Sequence, residues 1–139
     1  MRVAFIIAWA GLIFLFTCNS SFPDLYEYQQ VSFHWTFTPS FEELLYPLPT
    51  EENPYFTLQK IGHAFSFFIF TLLVLAKFPS KIKAFTIGLS YAFTTEILQL
   101  FFQRDGRLFD IGFDSIGILS AIILMHLVFK VTKKKAWPI

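Results

Sequence analysis

The chain has 139 residues, enough for one domain. Hydrophobic residues make up 55% and charged residues only 15%, against roughly 25% in soluble proteins. The net charge of +1 is uninformative in total because the charges are unevenly placed; nothing resembles a basic nucleic-acid surface, and a single cysteine, Cys18, excludes an intramolecular disulfide. What remains is a membrane composition, and the apolar windows that follow make the expected fold an all-α membrane protein.

Four stretches approach the roughly 20 apolar residues that a membrane-crossing helix needs. The first lies within residues 1–18 and carries no charge after Arg2. Its short basic start and apolar run also suit a cleavable secretory signal. Without an A-x-A-like site, a retained helix is the expectation.

Residues 19–57 form a long loop with no Lys or Arg but with Asp24, Glu27, Glu42, Glu43, Glu51 and Glu52. Pro23, Pro39, Pro47, Pro49 and Pro54 argue for irregular backbone. Its many aromatic rings suit the headgroup region of a bilayer. Within it, residues 40–46 (SFEELLY) suggest one amphipathic turn capped by Ser40, with Glu43 completing a capping box.

Residues 58–130 contain three further helices, expected at about 58–78, 84–103 and 108–129. Lys77, Lys81 and Lys83 separate the first two of these. Lys130 and the basic tail over residues 131–139, with Lys133, Lys134 and Lys135, follow the last. The positive-inside rule then puts both termini in the cytoplasm and the acidic loop outside. Arg104 and Arg107, in a short outer turn, run against that rule, which suggests a local task for them.

Ionisable residues within membrane helices are costly and usually face a bundle interior or a wet cavity. Lys60 and His63 are three apart; Glu96, Gln99 and Gln103 are spaced by three and four; Asp110 and Asp114 are four apart. Each set therefore shares one helix face. At about 1.5 Å per residue, Glu96 lies about 10 Å and Asp114 about 9 Å below the outer ends of their helices. The four-span topology thus brings three polar faces to one depth in the outer half of the bilayer. Gly117 and Ala121 continue the aspartate stripe and allow close helix approach, as Gly62 and Gly88 do elsewhere.

Lys60, Arg104 and Arg107 balance Glu96, Asp110 and Asp114, with His63 able to titrate. Such a set forms either a closed ion-pair lock or an outward-facing pocket. In a pocket, the cations suit capture of an anionic group, for instance the phosphate of a lipid-linked ligand. His63 with the carboxylates Glu96, Asp110 and Asp114 suits acid–base work. A metal site of His63, Glu96 and Asp110 or Asp114 is disfavoured by the missing H-E-x-x-H motif, the lack of a second histidine at this depth, and competition from Lys60. No metal or other cofactor is therefore expected. Ser66 stands one turn from His63 outside any nucleophile motif, His34 lies in the loop, and His126 lies far from the polar set.

The stretches LQKIGHAFSFFIF (58–70), FTTEILQLFF (93–102) and RDGRLFDIGFDSIG (104–117) resemble the VanZ-like membrane proteins. That family has a Lys-x-x-His start to its second helix and Thr-Glu-x-x-Gln in its third. An Arg and then Asp-x-x-x-Asp/Asn-x-x-Gly lead into its fourth. The matching positions are Lys60, His63, Glu96, Gln99, Asp110, Asp114 and Gly117. Arg104 has the family arginine's spacing, and Arg107 has its Gly-Arg context.

The resemblance implies four transmembrane helices in a bacterial cell membrane, with the bilayer as partner. It also implies a link to resistance against the glycopeptide teicoplanin, with which the founding member is associated. The expected function is binding, or binding and modification, of an amphipathic envelope ligand such as a lipid or glycolipid. His63, Glu96, Asp110 and Asp114 are the candidate catalytic residues, and Lys60, Gln99, Arg104 and Arg107 the candidate ligand-binding residues. The alternative is a non-enzymatic protein whose polar network only fixes helix packing. A transporter is less favoured, because four helices are few for alternating access and no inverted repeat is visible.

Overall fold

A computed structural model describes residues 1–47 and 54–131. The expectations for Pro49, Glu51, Glu52, Lys133, Lys134 and Lys135 lie outside the described residues. Among the described residues the chain is all α-helical, without a strand. The elements are α1 (Arg2–Cys18), α2 (Phe22–Tyr28), a 3-10 helix (Phe41–Leu45), α3 (Phe56–Lys77), α4 (Lys81–Phe101) and α5 (Asp110–Val131).

By length and composition, α3 and α5 can each cross a membrane; α1 and α2, bent by 109° at their junction, make a third if taken as one broken span. The 21-residue α4 is as long but carries Lys81, Lys83, Glu96 and Gln99.

α3 is the hub, packing on α1, α4 and above all α5. The core is a small-residue and aromatic seam that includes Phe67, Phe70, Val74, Ala84, Ala92 and Ile118. Each buried stripe begins with the polar residues: Lys60 leads to Phe67 on α3, and Asp110 and Asp114 lead to Gly117, Ile118 and Ala121 on α5. The outer faces are apolar, with Phe5, Ile7, Ile61, Phe65, Ile116 and Ile123 exposed. Such continuous apolar exposure marks a membrane or partner-facing surface.

Glycines decide how closely the helices approach. A Cβ at Gly117 would overlap the Ala64 carbonyl oxygen of α3, and one at Gly88 would lie 3.0 Å from Ile118 Cδ1. Gly62 has nothing within 4 Å, so the close approach expected there is absent.

Among the described residues, three long-range hydrogen bonds tie α1 to the bundle, one of them from the Arg2 guanidinium to the Ala76 carbonyl at 2.8 Å. Trp9 Nε1 donates to the Ser66 carbonyl at 2.9 Å and the Tyr91 hydroxyl donates to the Ala10 carbonyl at 2.6 Å. Tyr91→Phe should cost about 1 kcal/mol, the net worth of one such bond. The check is thermal unfolding in detergent; an unchanged midpoint would show that the bond contributes nothing.

The acidic segment is more ordered than its prolines suggested. Pro23 sits in the first turn of α2, where its missing N–H costs nothing, and the Ser21 side chain caps that helix by accepting from the Asp24 N–H. The capping box expected at Ser40 and Glu43 does not form, since Ser40 makes no side-chain cap and its carbonyl instead accepts from the Glu43 N–H. Asn19 is fully buried and braces this segment, donating to the Ser21 carbonyl and accepting from the Ser32 N–H, each at 2.6 Å. Thr36 N–H to Phe101 O and Leu108 N–H to Leu44 O lay the segment over the end of α4.

Candidate functional site

The end of α4 positions the site. The helix stops at Phe101, and Gln103 adopts a left-handed φ of 54°. The Arg104 N–H closes back on the Gln99 carbonyl at 2.9 Å and the Gln103 N–H on Leu100 at 3.4 Å, which is a Schellman motif with Gln where Gly is usual. Gln103 therefore leaves the face that Glu96 and Gln99 share, contrary to the helical spacing read from the sequence. It is exposed at the mouth of a cleft instead.

Beyond it the chain doubles back across Glu96. Only glycine fits at 106, because a Cβ there would overlap the Glu96 carbonyl oxygen. This close passage lets the Arg107 N–H donate to Glu96 Oε2 at 2.8 Å, while Gln99 Nε2 donates to Oε1 at 3.0 Å.

The three polar faces meet. Lys60 Nζ lies 2.5 Å from Asp110 Oδ1 and about equally far from the rings of Phe56 and Phe109, at 5.0 and 4.9 Å. His63 Nδ1 lies 3.0 Å from Asp114 Oδ1. One ligand-type atom each from His63, Glu96 and Asp114 lies within 4.8 Å of the others. Glu96 and Asp114 are fully buried, and Asp114 Oδ2 has no hydrogen-bond partner among the described residues. Asp110 is drawn to Lys60 and stands apart from that trio.

Above them opens a cleft of about 470 Å³, lined by Lys60, His63, Gln99, Arg104, Arg107 and Asp110 among others. Glu96 and Asp114 do not line it. An apolar groove of about 270 Å³ adjoins it between α1, α2 and α3, with Phe16, Tyr26, Leu58 and Phe67 in its wall. The two cavities share Phe22, Gln59, His63 and Arg104.

The two arginines differ in engagement. The Arg107 guanidinium lies 3.2 Å from Asp105, and its backbone serves Glu96. Arg104 has no carboxylate within ion-pair distance among the described residues, and burial pushes its guanidinium below the ordinary value. By geometry, then, Arg104 is the cation free to meet a ligand.

Sequence reasoning missed the contribution of α2, which supplies Phe22 and Pro23 to the cleft wall. Its signal was present as Ser21 followed by Pro23 and Asp24, a helix-start pattern. The Tyr55 hydroxyl donates to Glu27, which raises the phenol's pKa, and Tyr55 packs on Phe22 and Tyr26, fixing α2 against the start of α3. His34 is exposed and does not line the cleft. His126 lies 3.2 Å from Lys81 Nζ on the exposed surface near the start of α4.

Comparison with known proteins gives a consistent picture. The VanZ/LLP1 family profile matches residues 2–129. A protein of Bacillus subtilis (strain 168) named uncharacterized membrane protein YwnJ is 38% identical over 119 residues, 85% of either chain. No solved structure matches.

Proposed function

The chain belongs to the VanZ/LLP1 family of membrane proteins, and from that premise we propose that it holds an anionic amphipathic envelope ligand, a lipid or glycolipid, at its outer face. In this reading α1, α3, α4 and α5 all cross the bilayer with both termini inside. The positive-inside distribution of Lys and Arg supports it, as do helix lengths of 17, 22, 21 and 22 residues, at about 1.5 Å each against about 30 Å of hydrocarbon.

The observation that carries the reading is Arg104. A half-buried cation with no ion-pair partner among the described residues stands where a polar cleft and an apolar groove adjoin. An anionic head beside an acyl chain answers both cavities at once. Lys60 and Arg107 extend the positive rim, and Gln99 steadies Glu96. His63, oriented by Asp114, is the side chain placed to exchange a proton with a ligand in the cleft. Resistance to teicoplanin would be one outcome of handling such an envelope ligand.

The test is binding of a fluorescent lipid phosphate to purified protein in neutral detergent. A charge-assisted hydrogen bond is worth about 1.5–3 kcal/mol, so Arg104→Gln should raise Kd roughly 10- to 100-fold. A neutral lipid carrying the same chain should bind both forms alike. Equal affinity of wild type and variant for the phosphate would defeat the proposal.

A second reading, in which the polar residues only fix helix packing, is favoured by the Lys60–Asp110 and His63–Asp114 pairs themselves. Joint substitution of Lys60 and Asp110 separates the two readings.

A further inference from the structure

We propose that His63, Glu96 and Asp114 form a binding site for a divalent transition-metal cation, Mn²⁺ or Zn²⁺ in chemical class, at the floor of the cleft.

The three side chains come from three different helices, α3, α4 and α5, and present one imidazole nitrogen and two carboxylate oxygens within 4.8 Å of one another. Two ligands of one ion, each at about 2.0–2.2 Å, stand about 3 Å apart when adjacent and at most about 4.4 Å apart when opposite. The 3.0 Å between His63 Nδ1 and Asp114 Oδ1 is already the adjacent-ligand spacing. The third ligand atom, within 4.8 Å of the other two, must move inward when the ion binds.

Asp114 supplies the independent observation. Its Oδ2 is fully buried and without a hydrogen-bond partner among the described residues. An orphan carboxylate oxygen beside a second buried carboxylate is costly unless positive charge compensates both. Lys60 does not do so, because Asp110 and the rings of Phe56 and Phe109 hold it. The ammonium of Lys60, whose competition argued against a metal at the level of sequence, is paired with Asp110 at 2.5 Å.

The surroundings are those of ligands held in place. Glu96 accepts from Gln99 Nε2 and from the Arg107 backbone N–H, one bond on each oxygen. Each oxygen has a second lone pair to offer. Outer partners of this kind orient ligating carboxylates. A mixed nitrogen and oxygen set suits a borderline divalent ion better than Ca²⁺ or Cu⁺. Three protein ligands leave coordination positions open, and of the three His63 lines the cleft. An ion there would present a second positive centre to an anionic head bound at Arg104.

The inference is independent of the lipid proposal, because the metal alone is the probe. Purified protein, stripped with chelator and dialysed against Mn²⁺ or Zn²⁺, should retain close to one ion per chain by elemental analysis. Asp114→Asn and His63→Gln should each weaken binding at least tenfold. His126→Gln, which removes a histidine near the other end of α5, should leave it unchanged. Wild type loaded with Co²⁺ gives a reading that needs no variant: weak visible bands from nitrogen and oxygen ligands, without a thiolate charge-transfer band. Substoichiometric retention, a thiolate band pointing to Cys18, or loss in His126→Gln with retention in Asp114→Asn would each overturn the proposal.

Discussion

Gly117→Ala is expected to destabilise the bundle by about 2–3 kcal/mol, the range for forcing atoms into a filled interior. The sign is the informative part, because glycine to alanine within a helix ordinarily stabilises by about 0.5–1 kcal/mol. At Gly117 the added methyl would overlap the Ala64 carbonyl oxygen, and the Ala64 carbonyl carbon and Phe68 amide nitrogen stand directly behind it. All three are backbone atoms of α3, so no rotamer change relieves the overlap and the helix axes must separate.

That separation would act on the site above. Asp114 stands one turn before Gly117 and meets His63 only because α5 lies so close to α3. Gly62→Ala is the matched control: nothing lies within 4 Å of its Cβ position, so it should stabilise slightly. Thermal unfolding of both variants in detergent decides the matter. Equal shifts would mean that the α3–α5 contact is looser than its geometry states.

The residues that come together were legible because helix geometry is periodic. Lys60 with His63, and Asp110 with Asp114, had to share faces, and a polar face shuns lipid. Glu96 and Gln99 followed the same rule and are buried at 0% and 3% exposure. What the sequence concealed arises where periodicity stops. Gln103 continues the spacing in a list of residues but adopts a left-handed turn in space, and nothing in a glutamine announces a positive φ. That turn throws Arg104 into the cleft and sends Arg107 to Asp105, a division of labour that spacing alone left open. The role of Gly106 was hidden for the same reason, since its need for glycine comes from Glu96, ten residues earlier and adjacent only after the chain reverses. The loop was misjudged by counting prolines without asking where in a helix each would fall; Pro23 falls in the one turn that tolerates it.

Lys60→Met alone should destabilise the protein by about 3–5 kcal/mol, since it strands Asp110 as an uncompensated buried charge. Asp110→Asn should act similarly through Lys60, somewhat less where the ammonium reaches the cleft, because the Lys60 side chain retains 10% exposure against 4% for Asp110. The double variant removes both charges, and buried pairs replaced together are often nearly neutral. Folded yield and unfolding midpoint should therefore return close to wild type, with a coupling of opposite sign to the single losses.

The same double variant separates the two functional readings. If the polar residues serve only to fix helix packing, restoring stability restores everything, including any phenotype in an antibiotic susceptibility assay. If they form a ligand site, the double variant folds but binds the lipid phosphate with an altered affinity, because Lys60 and Asp110 both line the cleft. Arg104 makes the second outcome the expected one. A packing lock has no use for a half-buried guanidinium with no ion pair among the described residues, and replacing it should leave stability nearly untouched while removing affinity.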